Sequence, residues 1–202
     1  MFPDVHGNAL RALLAQPFTM SFLGAILAHD FETHRHLLNV GTLALRVAAT
    51  AGLSEDAALA VGQAGLFHDV GKIDIDPAVL CARRPLDERE WDLIRAHPAR
   101  GEALLRAQEA RLLARIVRSH HERLDGSGYP DGLRGMQIPW ATRLLSVVDA
   151  YDAMRAGRPY ADPILHDEAL GRLVGARHLF DEDAVAALVA TLQAQEALTP
   201  IS

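Results

Sequence analysis

The chain has 202 residues, half of them apolar and only 5% aromatic, with one cysteine and a formal net charge of -6. This length supports one well-buried core, and an Ala- and Leu-rich composition with few aromatics favours helices over a β-sandwich or barrel. The acidic balance argues against a DNA binder, whose affinity would come from clustered Lys and Arg, and the lone Cys81 forms no internal disulfide and suits a reducing, cytoplasmic setting.

Apolar periodicity predicts helices over 5–16, 19–29, 31–52, 55–70, 77–81, 88–96, 98–107, 109–122, 140–156, 166–176 and 182–195. No repeat, low-complexity tract or Gly/Ser linker divides them, so the expectation is a single all-α domain over 1–202. Met1-Phe2-Pro3-Asp4 lacks the basic region of a secretion signal. The apolar run from Phe18 to Ala28 falls short of the ~20 residues of a membrane span, so no membrane association is expected. Ser54 before Glu55 and Asp56, Asp87 before Glu90, and Asp181 before Ala184 mark helix starts. The clearest break is 124–139, LDGSGYPDGLRGMQIP, whose four glycines and two prolines forbid a continuous helix. A loop of this length is either functional or disordered.

Several polar residues fall on apolar stripes. His36, Val40, Leu43 and Val47 follow i, i+4, i+7, i+11, so His36 extends a buried face. Val61, Ala64, Gly65 and His68 show related spacing, as do Leu113, Ile116, Val117 and His120, and Leu145, Val148, Asp149 and Asp152. An unpaired imidazole or carboxylate in such a place costs several kcal/mol. A single core histidine is explained by a backbone carbonyl. Four such helices, together with the doublets His68-Asp69 and His120-His121, are satisfied at once by a shared metal. Glu32, one turn before His36, can reach the same ion, although alone it reads as a solvated acid near a helix start. His97, before Pro98, suits a first helical position and heads a stripe through Gly101, Leu104 and Leu105, which makes it a further candidate ligand. His6, His29, His34, His166 and His178 show no partner pattern and read as surface or capping residues.

HDVGK at 68–72, with His36 before it and Asp149 after it, matches the H…HD…D metal set of the HD superfamily. HHERLDGSGYP at 120–130 resembles the defining stretch of the HD-GYP family, and ETHRH (32–36), HPARG (97–101) and RPY (158–160) match as well. The resemblance covers roughly residues 28–195. It implies a single helical HD-superfamily domain with HD-GYP extensions, preceded by a short N-terminal helical segment. It also implies a bacterial metal-dependent phosphodiesterase that hydrolyses cyclic di-GMP to pGpG, GMP or both, by attack of a metal-bridging hydroxide.

Carried over position by position, the resemblance makes His36, His68, Asp69, His97, His120, His121 and Asp149 metal ligands, with Asp69 bridging and catalytic. Glu32 falls where three-metal members carry an extra ligand; Lys72 and Arg158 hold phosphate, and Tyr129 lies on the wall of the site. Five histidines and three carboxylates exceed one six-coordinate ion that keeps a position for water, so two or three divalent ions are expected. Two ions bridged by Asp69 would lie ~3.5–4 Å apart. The family points to iron or manganese, while nitrogen and oxygen ligands equally suit zinc, nickel or cobalt. The ions also explain how an acidic chain holds an anionic substrate.

Three positions depart from the family pattern: Asn39 replaces a common Arg, Leu124 an aromatic, and Ala161 the basic residue usual after RPY. The last removes a candidate phosphate or guanine contact. Two other readings stand beside the main one. One is an HD phosphohydrolase for another cyclic dinucleotide such as cyclic GMP-AMP. The other is a non-catalytic signalling module that contacts a diguanylate cyclase (GGDEF) or sensor protein through the GYP loop. The complete ligand set favours an enzyme, and the oligomeric state is left open.

Overall fold

The computed structural model describes residues 17–29, 31–82, 84–156 and 164–198. The helix expected over 5–16, Arg158 with the rest of RPY, and Ala161 lie outside the described residues. The described chain is helical without a strand: α1 (Pro17–His29), α2 (Phe31–Thr50), α3 (Glu55–Phe67), α4 (Pro77–Leu80), α5 (Glu88–Arg95), α6 (His97–Ala107), α7 (Arg111–Ser119), α8 (Trp140–Ala156), α9 (His166–Gly175) and α10 (Glu182–Leu198). Single 3-10 turns occur at Val70–Lys72 and Gly135–Gln137. No described helix is long and apolar enough to cross a membrane.

The predicted starts form as their chemistry requires. Ser54 Oγ accepts from the Ala57 amide at 3.4 Å. Asp87 and Glu90 make a reciprocal capping box at 2.9 and 3.0 Å, and Asp181 Oδ1 accepts from the amides of Asp183 and Ala184. At the end of α2, Gly52 adopts φ +79°. The Leu53 amide then reaches back to the Ala48 carbonyl at 3.1 Å, and the chain reverses directly into α3.

That reversal lays α3 along α2 at unusually close range. A Cβ at Gly65 would lie 2.8 Å from Gly41 Cα, and one at Gly62 would lie 3.2 Å from the Gly41 carbonyl oxygen, so glycine is what lets these backbones meet. α8 packs across both helices, α10 covers α2 and α8, and α7 with α6 closes the other side of α3. Leu37, Val40, Ala44, Leu66, Ile116, Leu144, Leu145 and Leu188 fill the shared core.

Two helices stop earlier than periodicity predicts. The 55–70 helix ends at Phe67 and the 109–122 helix at Ser119, each one residue before a histidine of the inward stripe. In both, an imidazole Nδ1–H donates to the carbonyl three residues back, Gly65 for His68 and Val117 for His120, and so satisfies an acceptor at the helix end. The stripe on α6 is narrower than expected: Gly101 and Leu105 are buried, whereas Leu104 faces solvent.

The 124–139 segment is an ordered loop. The buried Glu122 carboxylate accepts from the Asp131 amide at 2.7 Å and the Leu133 amide at 3.0 Å. The Leu124 amide donates to Leu179, and the Leu124 carbonyl accepts from Gly135. Gly128 lies against the preceding turn, where a Cβ would come within 2.5 Å of the Arg123 amide nitrogen and the His121 carbonyl oxygen.

Gly71 offers the sharpest packing test, because a Cβ there would overlap the His97 carbonyl oxygen and sit 2.7 Å from the Gly101 amide. Gly71→Ala should lower stability by about 1–3 kcal/mol. Gly171→Ala, on the exposed face of α9 with nothing within 4 Å, should raise it by about 0.5–1 kcal/mol. Urea unfolding reads both, and equal effects would contradict the close contact between the 3-10 turn and α6. Glu122→Ala should speed hydrogen exchange at the amides of Asp131 and Leu133, and unchanged protection there would contradict the clamp.

Candidate metal centre

Five elements deliver the candidate ligands. α2 carries His36, the end of α3 gives His68 and Asp69, α6 begins with His97, the end of α7 gives His120 and His121, and α8 carries Asp149. Three of the imidazoles are oriented by the same local device. Nδ1 of His68 lies 2.8 Å from the Gly65 carbonyl, Nδ1 of His97 lies 2.6 Å from Ile94, and Nδ1 of His120 lies 2.6 Å from Val117. A carbonyl only accepts, so Nδ1 bears the proton and, in the neutral ring, Nε2 presents a lone pair.

Those lone pairs converge. Nε2 of His97 is 3.2 Å from Nε2 of His120 and 3.1 Å from Asp69 Oδ1. Nε2 of His68 is 3.4 Å from Asp69 Oδ2 and 3.5 Å from Asp149 Oδ1, and Nε2 of His36 is 3.2 Å from Asp149 Oδ1. Asp69 Oδ1 is buried without a hydrogen-bond partner, so its approach to His97 sets acceptor against acceptor. Such an arrangement is repulsive until a cation enters it.

The ligand atoms fall into three overlapping groups, each with its members within 4.8 Å of one another: Asp69, His97, His120 and His121; His36, His68 and Asp69; and His68, His120 and Asp149. Asp69 belongs to the first two, so one carboxylate stands within reach of both places. The residues therefore fit a divalent metal centre of the mixed imidazole and carboxylate type.

Ionisation suits the same purpose. Burial pushes His120 and His121 well below the usual imidazole range, and neighbouring rings add to this, so both stay neutral. Burial also lowers His97, against the pull of Asp69. Burial would raise Asp69, but Lys72 and the His68 ring hold it well below the carboxylate range. Asp149 is likewise opposed by burial and held low by His36 and His68. His36 is the exception: burial works against its charge, yet the carboxylates of Asp149 and Asp152 raise it to about 10, so a metal bound at Nε2 would take the place of a proton.

The remaining expected residues divide. Lys72 Nζ donates to Asp69 Oδ2 at 2.7 Å and is partly exposed, a cation at the rim. The Tyr129 ring lies 4.8 Å from the His121 ring at 33°, which places the GYP loop against the cluster. Glu32 is not brought into it: its side chain is 64% exposed, pairs with Arg35, and belongs to none of the three groups. Arg158 lies outside the described residues.

Some residues carry more than their sequence pattern suggested. Asp152, seen only as inward-facing, meets His36 Nδ1 at 2.6 Å. Arg123 is packed over the Phe180 ring and donates to the Glu122 carbonyl and Ser146 Oγ, bracing the His120-His121 turn against α8. His166, expected as a surface or capping residue, is hydrogen-bonded through Nδ1 to the buried Tyr151 hydroxyl at 2.7 Å. A groove of about 370 Å³ between α9 and α10 is lined largely by Leu173, Phe180, Val185 and Val189 and contains none of the ligands.

Comparison with known proteins agrees with this geometry. The HD domain family matches residues 22–184. The chain is 40% identical over 169 residues to the cyclic di-GMP phosphodiesterase response regulator RpfG of Xanthomonas campestris pv. campestris, covering 82% of this chain and 45% of that protein. It is 37% identical over 142 residues to the 3'3'-cGAMP-specific phosphodiesterase 2 of Vibrio cholerae, covering 69% of this chain and 27% of that one. The chain thus spans less than half the length of these curated relatives. Among solved structures, an HDG"Y"P protein of Bdellovibrio bacteriovorus superposes with a TM-score of 0.68 at 18% identity, covering 94% of this chain and 62% of that one, a likeness of fold. With its ordered H…HD…D set and the GYP loop seated on His121, the chain belongs to the HD-domain family, in its HD-GYP branch.

Proposed function

We propose that this chain is a metal-dependent phosphodiesterase that hydrolyses cyclic di-GMP to pGpG, GMP or both. The observation that carries the reading is the convergence of imidazole lone pairs and two carboxylates on one buried cluster, with a lysine at its rim. The relative named a cyclic di-GMP phosphodiesterase supports the choice of substrate. Divalent ions bound there supply Lewis-acid polarisation of a phosphoryl oxygen and make water a nucleophile near neutral pH.

The protein's own residues set the conditions for that chemistry. Asp69 and Asp149 lie 3.4 and 3.5 Å from His68 Nε2, and their negative charge favours binding of a cation there. Lys72, held on Asp69, is positioned to meet a phosphate oxygen as the ester is cleaved. Tyr129 borders the cluster beside His121, and Arg158 is proposed as a second phosphate contact. We assign iron or manganese as the resident metal. The activity is placed in the cytoplasm, where the exposed, unpaired Cys81 suits a reducing environment.

A second reading takes 3'3'-cyclic GMP-AMP as substrate. It is favoured by the nearly equal identity to a relative named for that nucleotide, and by Ala161 where a basic contact is usual. Turnover of both nucleotides by the metal-loaded chain, followed by product chromatography, decides between them. Cyclic di-GMP should be consumed faster, and cleavage of cyclic GMP-AMP alone would transfer the assignment.

Chelating the metals should weaken cyclic di-GMP binding by more than tenfold in calorimetry, because the positive charge of the pocket comes from the ions. Undiminished binding by metal-free protein would contradict this. Asp69→Ala should abolish turnover and deplete metal, whereas Lys72→Ala should lower kcat by roughly 10²-fold with metal retained, as for loss of one charge-stabilising donor. Elemental analysis showing equal metal loss in the two variants would contradict these separate roles.

A further inference from the structure

His36 is held differently from the other ligand histidines. His68, His97 and His120 stand at helix ends, where Nδ1 reaches a carbonyl three residues back. His36 lies in the second turn of α2, where the nearby carbonyls serve the amides of the helix itself. Its Nδ1 is met instead by Asp152 Oδ2 at 2.6 Å, from α8, 116 residues away in sequence. One helical turn before Asp152, Asp149 faces Nε2 of the same ring at 3.2 Å. Both carboxylates are buried, so α8 clasps the imidazole by its two nitrogens.

We propose that Asp152 is a positioning residue that fixes the orientation of His36 and strengthens it as a metal ligand. A carboxylate that accepts from Nδ1–H raises electron density at Nε2, which a backbone carbonyl does far less. The consequence is an asymmetric centre. The ion on His36, His68 and Asp69 would depend on Asp152, while in the group of Asp69, His97, His120 and His121 the rings of His97 and His120 are oriented by helix-end carbonyls. The proposal rests on the metal-centre reading above.

The test is a titration of the metal-stripped chain with Mn²⁺ or Co²⁺ against a competing chelator, with stoichiometry by elemental analysis and the Co²⁺ absorption spectrum as a report on ligand geometry. Asp152→Ala should weaken one of two equivalents by about 10–100-fold and leave the other unchanged. Asp152→Asn has the same shape and can still accept through its amide oxygen, so it should give a smaller shift of the same equivalent and an altered Co²⁺ spectrum. Circular dichroism of the metal-free Asn variant should match the wild type. Equal weakening of both equivalents in the two variants would show that Asp152 only supports the core, and unchanged affinity in Asp152→Ala would remove its role altogether. A wild-type chain that binds no ion would overturn the metal-centre reading, and this proposal with it.

Discussion

The structure turns on hydrogen bonds from imidazole Nδ1–H groups to carbonyls at helix ends. Each fixes a tautomer, and each fixes which way the second nitrogen points. Three such bonds aim lone pairs at one small volume, already bordered by Asp69 and Asp149. Nothing in that volume donates to Asp69 Oδ1. A buried surface made of acceptors is costly in itself, so the fold accepts a local destabilisation that a cation reverses.

Holding those acceptors together requires a rigid frame, and glycine contacts provide much of it. Gly41, Gly62 and Gly65 let α2 and α3 run in backbone contact, which sets His36 and His68 with ring centroids 5.1 Å apart. Gly71 and Gly101 do the same where the 3-10 turn after Asp69 meets α6, bringing Asp69 to His97. The GYP loop is tied down by Glu122, directly after the histidine doublet, so the loop and the His120-His121 turn share one anchor.

Much of this was legible in the sequence because helices convert spacing into direction. His36, His68, His120, Asp149 and Asp152 all fell on apolar stripes, and the structure buries four of them and brings all five to one cluster. Direction alone could not separate ligand from support, which is why Asp152 was seen as inward without a role. Glu32 shows the opposite limit: one turn from His36 is near enough to reach an ion, yet its side chain lies largely in solvent and pairs with Arg35. Helix ends were misplaced by a few residues because side-chain bonds from His68 and His120 cap the carbonyls that more helix would use. The Glu122 clamp left no pattern, since its partners are backbone amides that every residue carries. His166 was missed for a related reason: its Tyr151 partner lies on another helix at no characteristic spacing.

The central claim is that inward-facing Nε2 atoms and shared carboxylates form a place for ions. Anomalous diffraction from crystals of the metal-loaded chain, collected on both sides of the absorption edge of the added metal, tests it most directly. Two adjacent peaks should appear, one at coordination distance from Nε2 of His97 and His120 and the other from Nε2 of His36 and His68, with Asp69 touching both. Peaks confined to the protein surface, or rings turned so that Nδ1 faces the cluster, would contradict it.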